Sequence, residues 1–233
     1  MSSKLDYDRC LSFLNCEIQP AARPASRREN RYRAVTLSRS AGSGACRTAE
    51  LLADRLTAAD RKAPCPWTIF DGNLIERVLE DHQESPRLAE RFPEDRLSEI
   101  EGFMDELFGL RPTPATIVQQ TSETILKLCA LGNVIIIGRG ANMVARRMPD
   151  VFHVRLHGSL EVRVRRVAEN RGMTPRAALA WVKRADAGRQ RYLRRYFEAD
   201  QNDPLLYHLT INTDLVTPEA ASELIAQAVL RGP

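Results

Sequence analysis

The stretch "NVIIIGRGANMVARRMPDVFHVRLHGSLEVRVRRVAE", residues 133–169, decides the fold. It opens on a continuous apolar run, 133–138, the pattern of a parallel strand buried on both faces. A glycine turn follows at Gly138 and Gly140, then a second strand-like run, "VFHVRLH" at 151–157, then a helical pattern over 159–171. Arg139 stands directly after Gly138, at the end of the buried strand. A guanidinium there either faces a ligand cleft or pairs with a carboxylate such as Asp71, because burying it alone is costly. Arg163 and Arg166 lie three apart and share a helix face, with Leu160, Val164 and Val167 on the opposite one.

Upstream, "AVTLSRSAGSGACRTAELLADRL" at 34–56 repeats the strand–turn–helix pattern. Ala34–Ser38 reads as a strand. A helix starts near Ala45, with Ala49, Leu52, Ala53 and Leu56 at i, i+3, i+4 and i+7. Gly42 and Gly44 can take backbone angles that other residues avoid. The N–H groups of Gly42, Ser43, Gly44 and Ala45 can therefore form a concave nest for an anion at the helix N-terminus. A phosphate loop ends in Gly-Lys-Ser/Thr, whereas Gly44 is followed by Ala45, Cys46 and Arg47. Arg39 and Arg47 flank the loop and are the candidates to supply the missing charge.

Further strands read at 65–70, closed by Asp71-Gly72, and at 206–212. Residues 73–131 read as mostly helical, broken by Pro86, Pro93, Pro112 and Pro114. The last helix is announced by Thr217-Pro218-Glu219: a cap, a proline at the first helical position and an acid in the first turn. Strands alternating with helices predict an α/β domain over 34–230, with a parallel sheet covered by helices on both faces. Ligands on such sheets bind at the carboxyl ends of the strands. That edge gathers Ser38–Arg47, Asp71, Gly138–Asn142 and His157–Ser159. The run "WVKRADAGRQRYLRRYF" places Asp186 and Arg189 three apart on one more helix.

Composition narrows the function classes. A net charge of +4 in 233 residues is too mild to demand a nucleic-acid partner. Arginine clusters at 23–33, 139–147, 155–171 and 184–195, and arginine is the side chain suited to bidentate phosphate recognition. The four histidines and five cysteines show no metal-ligand or triad spacing, so no protein-held metal is expected. The cysteine spacing predicts reduced thiols in a cytoplasmic protein. No apolar run reaches membrane-spanning length. Residues 1–33 read as a flexible extension; an RNA-contacting arm at 23–33 is the alternative.

From about 34 to 230 the chain resembles the cytidylate kinase-like family, and more distantly bacterial cytidylate kinase. Gly138-Arg139-Gly140 is similar to a Gly-Arg-Asp at a strand end, with Gly140 where the enzyme has an aspartate that helps bind the nucleoside monophosphate. Met148-Pro149-Asp150 is similar to a Phe-Pro-Asp. Ser159, Glu161, Arg163 and Arg166 match a Ser-x-Glu-x-Arg-x-x-Arg helix start, and Asp186 with Arg189 matches the Asp-x-x-Arg of the lid. Ile211-Asn212-Thr213 resembles an Ile-Asp-Thr. The loop Ser38-Arg39-Ser40-Ala41-Gly42-Ser43-Gly44 matches the Ser-Arg-x-x-Gly-Ser-Gly of the narrower group, which also lacks the lysine and has an acid near the place of Asp71.

The resemblance implies a three-layer P-loop kinase-type fold with a five-stranded parallel sheet, a helical acceptor-binding insertion at 73–131 and a lid at 175–200. It implies ATP-dependent phosphoryl transfer to a nucleoside monophosphate, CMP or dCMP, with Mg²⁺ held mainly by phosphates and water. Arg39, Gly42, Ser43, Gly44, Ala45 and Arg47 would bind the ATP phosphates. Arg139, Arg163, Arg166 and Arg189 would be the catalytic arginines, and Asp71, Arg139 and Asp186 would serve the acceptor. The alternatives are a nucleotide-binding regulatory protein of the same fold and a kinase for another small acceptor. The nucleotide substrates are the expected partners, with no membrane partner; the sequence is silent on oligomeric state.

Overall fold

The computed structural model describes Phe13 and residues 32–60, 65–71 and 114–231. Its strands are β1 (Ala34–Arg39), β2 (Thr68–Asp71), β3 (Val134–Ile137), β4 (Val151–His157) and β5 (Leu209–Asn212). Its helices are α1 (Ala45–Ala59), α2 (Pro114–Leu131), the single turn α3 (Ala141–Val144), α4 (Leu160–Arg171), α5 (Pro175–Phe197) and α6 (Pro218–Arg231). The strands form one five-stranded sheet in the order β2-β3-β1-β4-β5, and every pairing is parallel. The α/β reading with a parallel sheet holds. Of the expected helical insertion, 72–113 lies outside the described residues, and 114–131 is helical.

β3 shows why an unbroken apolar run was needed. Alternate side chains leave opposite faces of a strand. Ile135 and Ile137 pack with Leu37, Leu52, Leu56, Leu156 and Ile225 under α1 and α6. Val134 and Ile136 pack with Phe70, Ile125, Leu128 and Ala145 under α2. Both sets are nearly free of solvent contact, and each fully buried Leu or Ile contributes roughly 1.5–3 kcal/mol. Two cores on one sheet make three layers.

The α2 side does not stay apolar along its length. β1 and β4 pair in register, Thr36 with His153 and Ser38 with Arg155. These four residues put hydroxyls, an imidazole and a guanidinium toward the carboxyl end of the sheet. Thr36 Oγ1 bonds His153 Nδ1 at 2.8 Å, and Arg155 Nη1 donates to Ser38 Oγ at 3.2 Å. A parallel sheet that turns polar at its carboxyl edge is prepared for a ligand there.

Side-chain caps start three helices, the last of them at Thr217 as the sequence announced. Ser159 Oγ accepts from Val162 N at α4, Thr174 Oγ1 from Ala177 N at α5, and Thr217 Oγ1 from Ala220 N at α6. Two readings are corrected. β5 starts at Leu209, not 206, because Asp203 Oδ1 accepts from Leu205 N and turns Pro204–Leu206 into a 3₁₀ helix. Cys65 is disulfide-bonded to a partner outside the described residues, so the expectation of reduced thiols fails there; Cys46 and Cys129 are free. A long-range bridge leaves no spacing signature in sequence.

The N-terminal stretch lies mostly outside the described residues. Within it Phe13 is buried and meets Phe70 edge to face at 5.9 Å between centroids, and Tyr32 belongs to the core. Among the described residues no helix is long and apolar enough to cross a membrane.

Candidate active site

A cleft of about 470 Å³ opens at the carboxyl ends of β1, β2 and β3, beneath α5. That volume suits a small-molecule ligand. Arg39, Arg139, Arg184 and Arg189 line it, and Asp71 is the one carboxylate among the described residues that do. Thr36, Ser38, Asn142, Tyr192 and Gln201 add polar and aromatic walls.

Backbone geometry places the first arginines. Arg39 is the last residue of β1, and its Nη1 lies over the α-carbon of Gly138: a β-carbon there would be 1.8 Å from it. Gly138 also has φ 85°, a left-handed backbone conformation that favours glycine. Arg139 itself has φ 53°, a left-handed conformation unusual for a side chain of its size. The turn thus sends consecutive residues around the cleft rim. Burial and the nearby Arg189 pull the Arg39 pKa down to about 10; Arg139 adds to this, while Cys46 and Asp71 oppose it. Burial also lowers Arg189, against the pull of Asp186. Positive charge is crowded here, and an anionic ligand would relieve it.

The glycine loop adjoins this cleft. Gly42 and Gly44 have φ 78° and 79°, and Gly44 caps α1 with no side-chain hydrogen bond. No acidic residue occupies the first turn of α1. The helix dipole and its leading N–H groups are therefore uncompensated within the helix. Ser43 is 2% exposed, and its hydroxyl has no hydrogen-bond partner. Thr48 Oγ1 bonds back to the Gly44 carbonyl, which closes the loop into the helix.

The two candidate lysine substitutes part company. Arg47 is largely exposed and pairs with Glu50 at 3.5 Å on the outer side of α1. Arg39 sits between Gly138 and Cys46, at the cleft side of the loop. Cys46, at the position after Ala45, is exposed; partial desolvation by its neighbours raises its thiol pKa despite Arg39 nearby.

Arg163, Arg166 and Asp186 are engaged below the loop. Arg163 is 8% exposed, and its guanidinium donates to the carbonyls of Ala41 and Gly158 and to Asp186 Oδ2, at 2.9, 2.9 and 2.6 Å. Arg166 donates to the carbonyl and hydroxyl of Thr213. Asp186 Oδ1 accepts from the Ala41 N–H at 2.7 Å and from Arg189 at 3.2 Å. The expected lid set is thus divided. Arg189 lines the cleft, Arg163 and Asp186 fasten the loop to α4 and α5, and Arg166 fastens α4 to the end of β5.

The sequence reading singled out none of Thr36, Arg184, Tyr192 and Gln201, and gave Asn142 no role of its own, although all five line the cleft. Arg184 and Tyr192 fall in the basic run of α5, where periodicity does not say which residues face the sheet. Asn142 lay on the predicted ligand edge and drew no separate notice. Among the described residues no group of three acidic, histidine or cysteine side chains could hold a metal ion.

The model of the cytidylate kinase-like family matches residues 34–215. A cytidylate kinase of Halobacterium salinarum is 27% identical over 202 residues, covering 84% of this chain and 88% of that protein. A cytidylate kinase of Aeropyrum pernix is 28% identical over 106 residues, covering 46% of this chain and 61% of that protein. Among solved structures, an uncharacterized protein from Eubacterium ventriosum superposes with a TM-score of 0.56 at 18% identity, covering 84% of this chain and 97% of that one. The match over well over half of the chain agrees with the parallel sheet, the glycine loop and the arginine-lined cleft: the chain belongs to the cytidylate kinase-like family.

Proposed function

We propose that this protein transfers the γ-phosphoryl group of ATP to a nucleoside monophosphate, with CMP and dCMP the acceptors to which its family points. One observation carries the reading. Among the described residues, four arginines and a single carboxylate line a cleft that adjoins a glycine loop at a helix N-terminus without a side-chain cap. Phosphoryl transfer between nucleotides asks for little else. The acceptor oxygen is already ionised, so catalysis is positioning plus neutralisation of charge on the moving group.

In this reading the amides of Gly42–Cys46 cradle the β-phosphate of ATP, and Arg39 supplies the charge that a lysine gives elsewhere. Arg139 holds the phosphate of the acceptor, and Arg189 neutralises the transferring group. Asp186 and Arg163 hold the loop and Arg189 in place. Mg²⁺ fits this donor set as an ion carried on phosphates and water with one carboxylate, Asp71, in reach of the cleft; it would neutralise phosphate charge.

An ADP-release assay with ATP, Mg²⁺ and each of CMP, dCMP, UMP and AMP tests the proposal. Turnover with a nucleoside monophosphate supports it. ATP binding seen as thermal stabilisation, with no transfer to any of the four, would instead mark a nucleotide-binding protein that has lost catalysis.

A further inference from the structure

We propose that Asn142 reads the base of the acceptor nucleotide and that it admits both CMP and UMP. The inference rests on the nucleoside monophosphate reading of the cleft and goes beyond it to the choice of base.

Asn142 lines the cleft and is 5% exposed. Its Nδ2 is enclosed and has no hydrogen-bond partner. A buried amide donor left unpaired is costly, and such groups in folded proteins call for a ligand or a water. No hydrogen bond among the described residues fixes which way the carboxamide faces. The hydroxyls that β1 brings to the same wall are already engaged: Thr36 with His153, and Ser38 with Arg155.

The surroundings suit a base. Tyr192 lines the same cleft, and its ring is flanked by Tyr196 at 5.2 Å and Phe197 at 5.9 Å between centroids. A ring held this way offers a flat stacking surface. Gly140 leaves the neighbouring position bare. A β-carbon there would lie 2.6 Å from the Phe197 ring, at φ 68°, so no side chain at 140 competes for the base.

The choice of bases follows from hydrogen-bond chemistry. Cytosine presents a 4-amino donor beside the N3 acceptor; uracil presents a 4-oxo acceptor beside an N3–H donor. The two edges are mirror patterns. A carboxamide has one donor and one acceptor end, and a half-turn exchanges them. With nothing fixing Asn142, that half-turn sacrifices no protein hydrogen bond. A carboxylate at 142 could only accept, and would favour the amino-bearing base.

The test is kcat/KM for CMP and UMP at saturating Mg²⁺–ATP, in the wild type, Asn142→Asp and Asn142→Leu. The wild type should use the two within about tenfold of each other, and Asn142→Asp should move the ratio toward CMP by about 10–100-fold. Asn142→Leu should raise KM for both acceptors and leave KM for ATP unchanged. A purely structural role would depress both acceptors alike, without moving the ratio. A wild type that separates the two by more than about 100-fold overturns the proposal, as does an unmoved ratio in folded Asn142→Asp. If no monophosphate is turned over, calorimetric titration with CMP and UMP decides. Binding that follows the same pattern sustains the role of Asn142 while the kinase reading fails; absence of binding overturns both.

Discussion

The carboxylate of Asp186 on α5 accepts the backbone N–H of Ala41 in the glycine loop at 2.7 Å, although the two residues are 145 apart in sequence. The same carboxylate holds Arg163 at 2.6 Å and Arg189 at 3.2 Å. One side chain therefore ties together the loop, the helix that follows β4 and the helix over the cleft. Replacing it strands a guanidinium that is almost out of reach of water. Asp186→Ala should destabilise the fold by about 3 kcal/mol, the low end for removing one partner of a buried pair, because Arg163 keeps its two carbonyl acceptors. Urea denaturation should show it as a lower midpoint at unchanged slope. Nucleotide binding should weaken as well, because the loop loses its anchor and Arg189 its orientation.

The two loop glycines should respond differently to a methyl group. Both have positive φ, which alone costs an alanine about 1–2 kcal/mol. At Gly42 the new β-carbon would also lie 2.6 Å from the Arg163 carbonyl oxygen and 2.9 Å from Val167 Cγ2. At Gly44 its nearest neighbour would be Pro218 Cγ at 3.9 Å, an ordinary contact. Gly42→Ala should therefore be the more damaging, by at least about 1 kcal/mol in thermal or chemical denaturation. Equal losses would mean that the loop is free to move off α4.

Arg39 and Arg47 were equivalent candidates in the sequence, and the structure gives them unequal positions. Arg39 is crowded against Arg189 and Arg139 with its pKa pulled down to about 10, whereas Arg47 is exposed and paired with Glu50. Arg39→Ala should lower kcat/KM for ATP by about 10–100-fold, as expected for losing a charge-assisted phosphate contact. Arg47→Ala breaks one exposed pair and should stay within about threefold of wild type. The reverse ranking in steady-state kinetics would shift the lysine's role to the outer arginine.

The framework was legible because its signals are periodic. The unbroken apolar run of β3, the alternation that makes Thr36 and Ser38 polar, and the Thr217-Pro218-Glu219 helix start depend only on local spacing. Arg163 shows where such signals stop. Its three-residue spacing from Arg166 put both on one helix face, but whether that face meets a phosphate or the underside of a loop depends on where α5 and the loop pack. Asn142 gave less still. It is one amide in a single-turn helix, and its interest comes from the burial of Nδ2 without a partner, which no spacing encodes. The Cys65 bridge was hidden for the same reason.

His153 gives the fold an acid limit whose sign follows from its burial. It is 6% exposed between Thr36 and His208: Thr36 Oγ1 bonds its Nδ1, and the His208 ring lies 5.1 Å away. Burial, with the neighbouring imidazole adding to it, holds its pKa down to about 4, against an ordinary value of 6.5. The folded state therefore keeps His153 neutral where the unfolded chain takes up a proton. Stability is complete above pH 6.5 and falls between about 6.5 and 4, by on the order of 3 kcal/mol once the folded form also protonates. His208 Nδ1 accepts from the His153 N–H at 3.0 Å, which holds the two imidazoles side by side. Thermal melts from pH 8 to pH 4 should thus slope downward below pH 6.5. His153→Gln, which keeps a polar partner for Thr36 and cannot titrate, should flatten that slope even if it lowers Tm at pH 8. If the slope persists in His153→Gln, the acid sensitivity belongs to the carboxylates, with Asp214, whose carboxyl is held below its ordinary range by the hydrogen bonds from Ser159, the first to test.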